Sequence, residues 1–64
     1  MKIVLYTVIK FANKTVTDYL LFVDNNKKIH TTPDKNNAKK FSSYYEASNY
    51  LKGIEHNFNV EELK

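Results

Sequence analysis

Ile3-Val4-Leu5-Tyr6-Thr7-Val8-Ile9-Lys10-Phe11 is apolar at almost every position. Ile3, Leu5, Ile9 and Phe11 share one parity with Thr7, while Val4, Tyr6 and Val8 share the other and end in Lys10. β-Branched and aromatic residues on both parities describe a central strand, with apolar groups on each face of the sheet. The run is too short to cross a bilayer, and no small-residue cleavage site follows it, so it reads as neither a membrane span nor a signal peptide.

A second strand is expected over 17–24, with Tyr19, Leu21 and Val23 on one face and Asp18, Leu20, Phe22 and Asp24 on the other. Residues 12–16 form the loop between the two. Pairing Phe11 with Thr17 sets Ile9 opposite Tyr19, Leu5 opposite Val23, Lys10 opposite Asp18 and Tyr6 opposite Phe22. A slip of one residue would push Asp18 against Ile9 and Asp24 against Ile3, so the first register is preferred. Asn25-Asn26-Lys27 reads as a three-residue turn, because asparagine tolerates positive φ. A third strand over 28–32 then sets Val23 against Ile29, Asp24 against Lys28 and Phe22 against His30.

Thr32-Pro33-Asp34 has the form of a helix start, which predicts one helical turn near 33–37. Ser43 followed by Glu46 is a capping box. Ala47, Tyr50, Leu51 and Ile54 fall at i, i+3, i+4 and i+7, a single apolar stripe on one helix. Gly53 lies near its end. Phe58 and Val60 alternate with Asn57, Asn59 and Glu61 in a short fourth strand. The expected fold is α+β in a βββαβ order: a mostly antiparallel sheet of order 4-1-2-3 with one helix on one face. A right-handed crossover through the helix would lay the last strand parallel to the first.

The 64 residues make a single domain, 1–64, and a chain this short buries only roughly 60% of its unfolded surface. It has no cysteine, and His30 and His56 have no thiol companions, so neither a disulfide nor a closed zinc site is expected to support it. The absence of cysteine fits a reducing cytoplasm. Net charge is +3 but uneven: residues 1–40 carry eight lysines against three aspartates (+5), and residues 41–64 two lysines against four glutamates (−2). Every basic residue is lysine, which offers phosphate point charges rather than the bidentate fork of arginine. A basic chain also excludes an acidic DNA mimic.

Asn37-Ala38-Lys39-Lys40-Phe41-Ser42-Ser43-Tyr44-Tyr45-Glu46-Ala47-Ser48-Asn49-Tyr50-Leu51 resembles a segment of short proteins from phages, plasmids and integrated elements of low-GC Gram-positive bacteria. In them an Ala-Lys-Lys-Phe stretch is followed by Ser or Thr and a helix opening with Glu-Ala. The matching positions here are Ala38, Phe41, Ser43, Ala47 and Leu51, all structural. The resemblance implies a mobile-element protein directed at a host or defence protein such as a CRISPR nuclease. It transfers no functional residue.

Nothing in the pattern assembles a catalytic constellation. His30 is set mid-strand beside Phe22, His56 follows the helix, and Glu46, Glu55, Glu61 and Glu62 are capping or surface groups. One glycine cannot build a phosphate loop, and the Lys39-Lys40 pair reads as a solvated pair ahead of a helix. No enzyme activity, metal or cofactor is expected. Five tyrosines and four phenylalanines exceed what one helix on one sheet can cover. The expected core face holds Ile3, Leu5, Ile9, Phe11, Tyr19, Leu21, Val23, Ile29, Phe58 and Val60. Val4, Tyr6, Val8, Leu20 and Phe22 are left on the open face, rimmed by Lys10, Asp18, Asp24, Lys28 and His30. An apolar patch with a charged rim is the anatomy of an interface. The expected partner-binding set is Val4, Tyr6, Val8, Lys10, Leu20, Phe22, Lys28 and His30. The preferred reading is protein docking, with a nucleic acid stacked on Tyr6 and Phe22 or a homodimer as alternatives.

Overall fold

The computed structural model describes residues 2–63. Four strands, β1 (Lys2–Phe11), β2 (Lys14–Val23), β3 (Ile29–Thr32) and β4 (Asn59–Leu63), form one antiparallel sheet of order β3-β2-β1-β4. A 3-10 turn, Lys35–Asn37, and one helix, α1 (Tyr44–Tyr50), lie between β3 and β4. This is the expected α+β, βββαβ layout with β1 inside the sheet.

Two details of the sheet differ from expectation. The β1–β2 turn contains only Ala12 and Asn13, because Phe11 pairs with Lys14 rather than Thr17. The register therefore moves by three residues. Tyr6 meets Tyr19, Thr7 meets Asp18, Val8 meets Thr17, Ile9 meets Val16 and Lys10 meets Thr15. The observed pairs Tyr6–Tyr19, Val8–Thr17 and Ile9–Val16 replace the expected Tyr6–Phe22, Ile9–Tyr19 and Lys10–Asp18. An odd shift exchanges the faces of β2, so Leu20 joins Ile3 and Leu5 instead of opposing them.

The exchange is then reversed. Between Leu20 and Phe22 the pairing with β3 jumps by one residue, a bulge at Leu21. Beyond it, Phe22 faces His30 and Val23 faces Ile29 as expected. The three-residue turn 25–27 is also present: the Asp24 N–H donates to the Lys28 carbonyl at 3.0 Å. Its positive φ (+63°) falls on Lys27 rather than on an asparagine.

The second difference is the direction of β4, which runs antiparallel to β1 with Lys2 opposite Leu63 and Tyr6 opposite Asn59. Pairing of β1 with β2 stops at Tyr6–Tyr19, and the chain from 39 to 41 takes up the backbone groups beyond it. Lys39 N–H donates to the Leu20 carbonyl at 2.9 Å, and Ile3 and Phe41 exchange both bonds as an antiparallel bridge. Ile3 meets Glu62 of β4 along its other edge, so Phe41 enters on the β2 side. This extra extended pass adds a reversal before α1, and β4 consequently leaves the helix against β1 rather than with it.

The core lies between sheet and helix. Ile3, Leu5, Leu20, Phe41, Ala47 and Leu51 are buried together, with Val23, Ile29, Tyr50, Ile54 and Phe58 packed around them. The apolar stripe of α1 is thus used as its spacing implied. Ser43 caps the helix by accepting from the Glu46 N–H at 3.1 Å. The Glu46 carboxylate accepts from the Ser42 hydroxyl at 2.6 Å, which lowers its pKa. The helix ends at Tyr50, and Gly53, at φ +81°, carries the reversal after it. Tyr50 also ties the layers together, its hydroxyl accepting from the Val23 N–H at 3.0 Å. No helix among the described residues is long and apolar enough to cross a membrane.

Candidate functional site: the free end of the β1–β2 hairpin

The second face of the sheet is only partly open. The chain from 33 to 38 crosses it before diving between β1 and β2. Thr32 Oγ1 accepts from the Asp34 N–H at 3.2 Å, and Asp34 caps the 3-10 turn by accepting from Asn36. Lys35 reaches across to the Glu61 carboxylate of β4, which raises the lysine pKa. On the way its ammonium lies 5.8 Å from the centre of the Tyr19 ring. Beneath this crossing Val4 has no exposed surface at all.

The expected partner-binding residues therefore separate. Leu20 is on the helix face and fully buried, so it is not part of any open surface. Val4 is on the predicted face but sealed by the crossing segment. Tyr6 is half-buried and tilts against Tyr19, its ring centre 6.4 Å away, instead of against Phe22. Phe22, 43% exposed, stacks on His30 at 4.4 Å between ring centres. His30 Nε2 in turn lies 2.9 Å from an Asp24 carboxylate oxygen. Asp24 also accepts from the Asn26 and Lys28 N–H groups, so its carboxyl is held below the usual range, chiefly by His30. Phe22, Lys28 and His30 thus form one small corner around the second turn.

Val8 and Lys10, expected on the open face and its rim, belong to a different region, together with Ile9 and Phe11 that were expected in the core and residues 12–16 that were expected as a loop. β4 covers β1 only from Lys2 to Tyr6, and β3 covers β2 only from Tyr19 onward. Past those points the hairpin continues as a bare two-stranded ribbon. Residues 8–16 are exposed without interruption. On the helix-side face stand Ile9, Phe11 and Val16, 44, 64 and 37% exposed. On the reverse stand Val8, Lys10, Thr15 and Thr17. Ile9 and Phe11 were expected in the core, but α1 is only seven residues long and packs over Leu5 and Leu20, not over them.

Elsewhere, a cleft of about 150 Å³ between α1 and β4 is lined by Leu5, Ala47, Leu51, Phe58 and His56 among others. That is below the roughly 300 Å³ at which small-molecule pockets begin. Among the described residues no three His, Asp or Glu side chains converge on one point. No family model, curated protein or solved structure matches this chain.

Proposed function

We propose that the protein is a non-catalytic binding module that docks a protein partner through the free end of its β1–β2 hairpin. The observation that carries this reading is the unbroken exposure of residues 8–16, with Ile9, Phe11 and Val16 on one face. Isolated exposed apolar residues are ordinary, but three adjacent ones on an uncovered ribbon match the apolar centre of an interface. Lys14 and Asp18, on the same face, supply its polar rim. The Phe22–His30 corner is a second, smaller contact on the other face. The resemblance of residues 37–51 to mobile-element proteins supplies the class of partner: a host or defence protein in the cytoplasm that the module engages stoichiometrically.

The test is capture from a host extract by tagged parent protein and by an Ile9→Ser/Phe11→Ser variant. Neither side chain belongs to the core cluster and both are exposed, so the variant is expected to keep a cooperative melt. The expected result is one partner protein retained by the parent, retained by Phe22→Ala, and lost with the hairpin variant. A partner lost with Phe22→Ala and kept by the hairpin variant would move the site to the second turn. Single-stranded oligonucleotide binding that falls steeply with salt and disappears with Lys10→Ala/Lys14→Ala would replace protein docking with nucleic-acid binding.

A further inference from the structure

The face of the ribbon is one feature, and its edges are another. Neither edge of the ribbon is paired: β4 stops at Tyr6 on one side and β3 at Tyr19 on the other. Within β2 the free stretch is Lys14-Thr15-Val16-Thr17-Asp18. Alternate residues of an antiparallel strand point N–H and C=O outward. The two-residue turn closes with Phe11 and Lys14 bonded to each other, which leaves Thr15 and Thr17 presenting theirs to solvent. No other bond among the described residues takes them up. An unprotected edge of this kind is a template for another strand.

We infer that this edge takes a second copy of the same chain, the two β2 strands pairing antiparallel about a two-fold axis at Val16. The residues select that occupant. With Val16 opposite its own copy, Thr15 falls opposite Thr17, and Lys14 falls opposite Asp18, once on each side of the axis. Both charged residues lack an ion-pair partner within the described chain. All five free positions are then used, and the contact stops where Thr32 of β3 already occupies Tyr19. Shifting the axis to Thr17 drives each strand into the position held by the other copy's β3. Shifting it to Thr15 sets Lys14 against Val16 and leaves Asp18 facing the turn. The β1 edge offers no such match, because an axis at Ile9 pairs Val8 with Lys10 and Thr7 with Phe11. A two-fold contact also closes on itself, whereas pairing β1 with β2 of the next copy would propagate.

The dimer completes the proposed docking site and rests on that reading. Even-numbered spacing keeps equivalent faces together, so Ile9, Phe11 and Val16 of both copies line one side of a four-stranded ribbon. A five-residue edge buries less than the about 1,000 Å² of a stable interface, so the association is a weak one.

Sedimentation equilibrium tests it. The parent is expected to approach twice the chain mass as concentration rises to about 1 mM. Lys14→Asp and Asp18→Lys each set like charges opposite one another, and each alone is expected to weaken self-association about tenfold or more. Mixed together, the two variants restore both charge pairs, and the mixture is expected to form a heterodimer. Both positions lie outside the core, and cooperative melts establish that the variants fold. A parent that is monomeric at about 1 mM overturns the inference, as does a mixture no more associated than its components. Phe11→Ser separates it from the docking proposal: that side chain is on the face and not the edge, so the dimer persists while partner capture is lost. Capture that survives in a Lys14→Asp variant that sediments as a monomer would overturn the claim that the dimer completes the docking site and leave docking standing.

Discussion

β1 and β2 are each ten residues long, yet their two halves live in different environments. At the built end, residues 2–6 pair with β4 and residues 19–23 with β3, and the chain from 39 to 41 fills the space between them. α1 covers one face there, and residues 33–38 cross the other. At the free end, residues 7–18 pair only with each other, and residues 8–16 are exposed throughout. The composition of the two halves is similar, with Val8, Ile9, Phe11 and Val16 at one end and Val4, Leu5 and Leu20 at the other. What separates them is coverage. Apolar residues that a longer helix would have buried are left exposed, and an isolated two-stranded ribbon is at best marginal in water. The ribbon holds because the built end anchors both its strands.

The sharpest way to break this comparison is truncation at each end. Leu20→Ala leaves a void beneath α1 at a fully buried site and is expected to cost about 2–5 kcal/mol, enough to unfold a domain this small. Phe11→Ala removes a larger side chain from the free end and is expected to change stability by no more than ~0.5 kcal/mol. Urea melts of the two variants read the contrast. Equal losses would mean that the free end is part of the cooperative core.

Hydrogen exchange sharpens the same contrast without mutation. Ile3 and Phe41 exchange backbone bonds inside the built end, at 2.9 Å each. Their amides should exchange only on global opening, while those of Thr15 and Thr17 face solvent and should exchange about a hundredfold faster or more. The measurement belongs at low micromolar concentration. At the high concentrations where β2 edges pair, protection of Thr15 and Thr17 is expected to rise.

The free end is also where sequence reading went furthest astray, and the reasons are local. A two-residue hairpin turn is signalled by Gly or Asn at the position of positive φ. Here Ala12 occupies it, at φ +54°, so nothing in Ala12-Asn13 advertised the tight turn. The register then rested on the apolar pairs Ile9–Tyr19, Leu5–Val23 and Tyr6–Phe22 with Lys10 against Asp18, and it was compared only with a slip of one residue, which set aspartates against isoleucines. The built end was more legible because its signals repeat: the stripe Ala47, Tyr50, Leu51, Ile54, the Ser43 cap, and the pairing of Phe22 with His30 and Val23 with Ile29. The bulge at Leu21 carries no glycine to mark it, yet it restores the phase that the hairpin shift had reversed. The pass of residues 39–41 between β1 and β2 was illegible for another reason. It is held by three backbone bonds, which leave no periodic pattern in the side chains. Without it, and without the crossing of residues 33–38 that leads into it, Val4 reads as open and β4 as parallel.

Ala12 supplies the third test. A left-handed backbone costs an L-residue about 1–2 kcal/mol, while glycine pays about 0.5–1 kcal/mol for its extra freedom in the unfolded chain. Ala12→Gly is therefore expected to stabilise the protein by up to about 1 kcal/mol, seen as a shift of the urea midpoint at constant slope. Lys27→Gly, in the second turn at φ +63°, should behave alike. A loss of stability in Ala12→Gly alone would show that the free-end turn is not under conformational strain.

The smallest expected effect belongs to the built end and is a matter of pH. Asp24 accepts from His30 Nε2 and from two backbone N–H groups, which holds its carboxyl below the ordinary 3.8. A carboxyl with a depressed folded pKa binds fewer protons in the native state. Its contribution is present above the unfolded value, and it is lost as pH falls through about 3.8 and the lower native value. Lys35 runs the opposite way. Its pKa is raised by Glu61 above 10.5, so the contribution of that pair is present below 10.5 and fades as pH climbs through the raised value. Asp24→Asn should therefore be less stable than the parent at neutral pH, with the difference closing on acidification. Lys35→Met should differ from the parent at neutral pH and converge with it above about 10.5. A gap between Asp24→Asn and the parent that stays constant on acidification would mean that the contact of His30 with Asp24 does not hold the second turn.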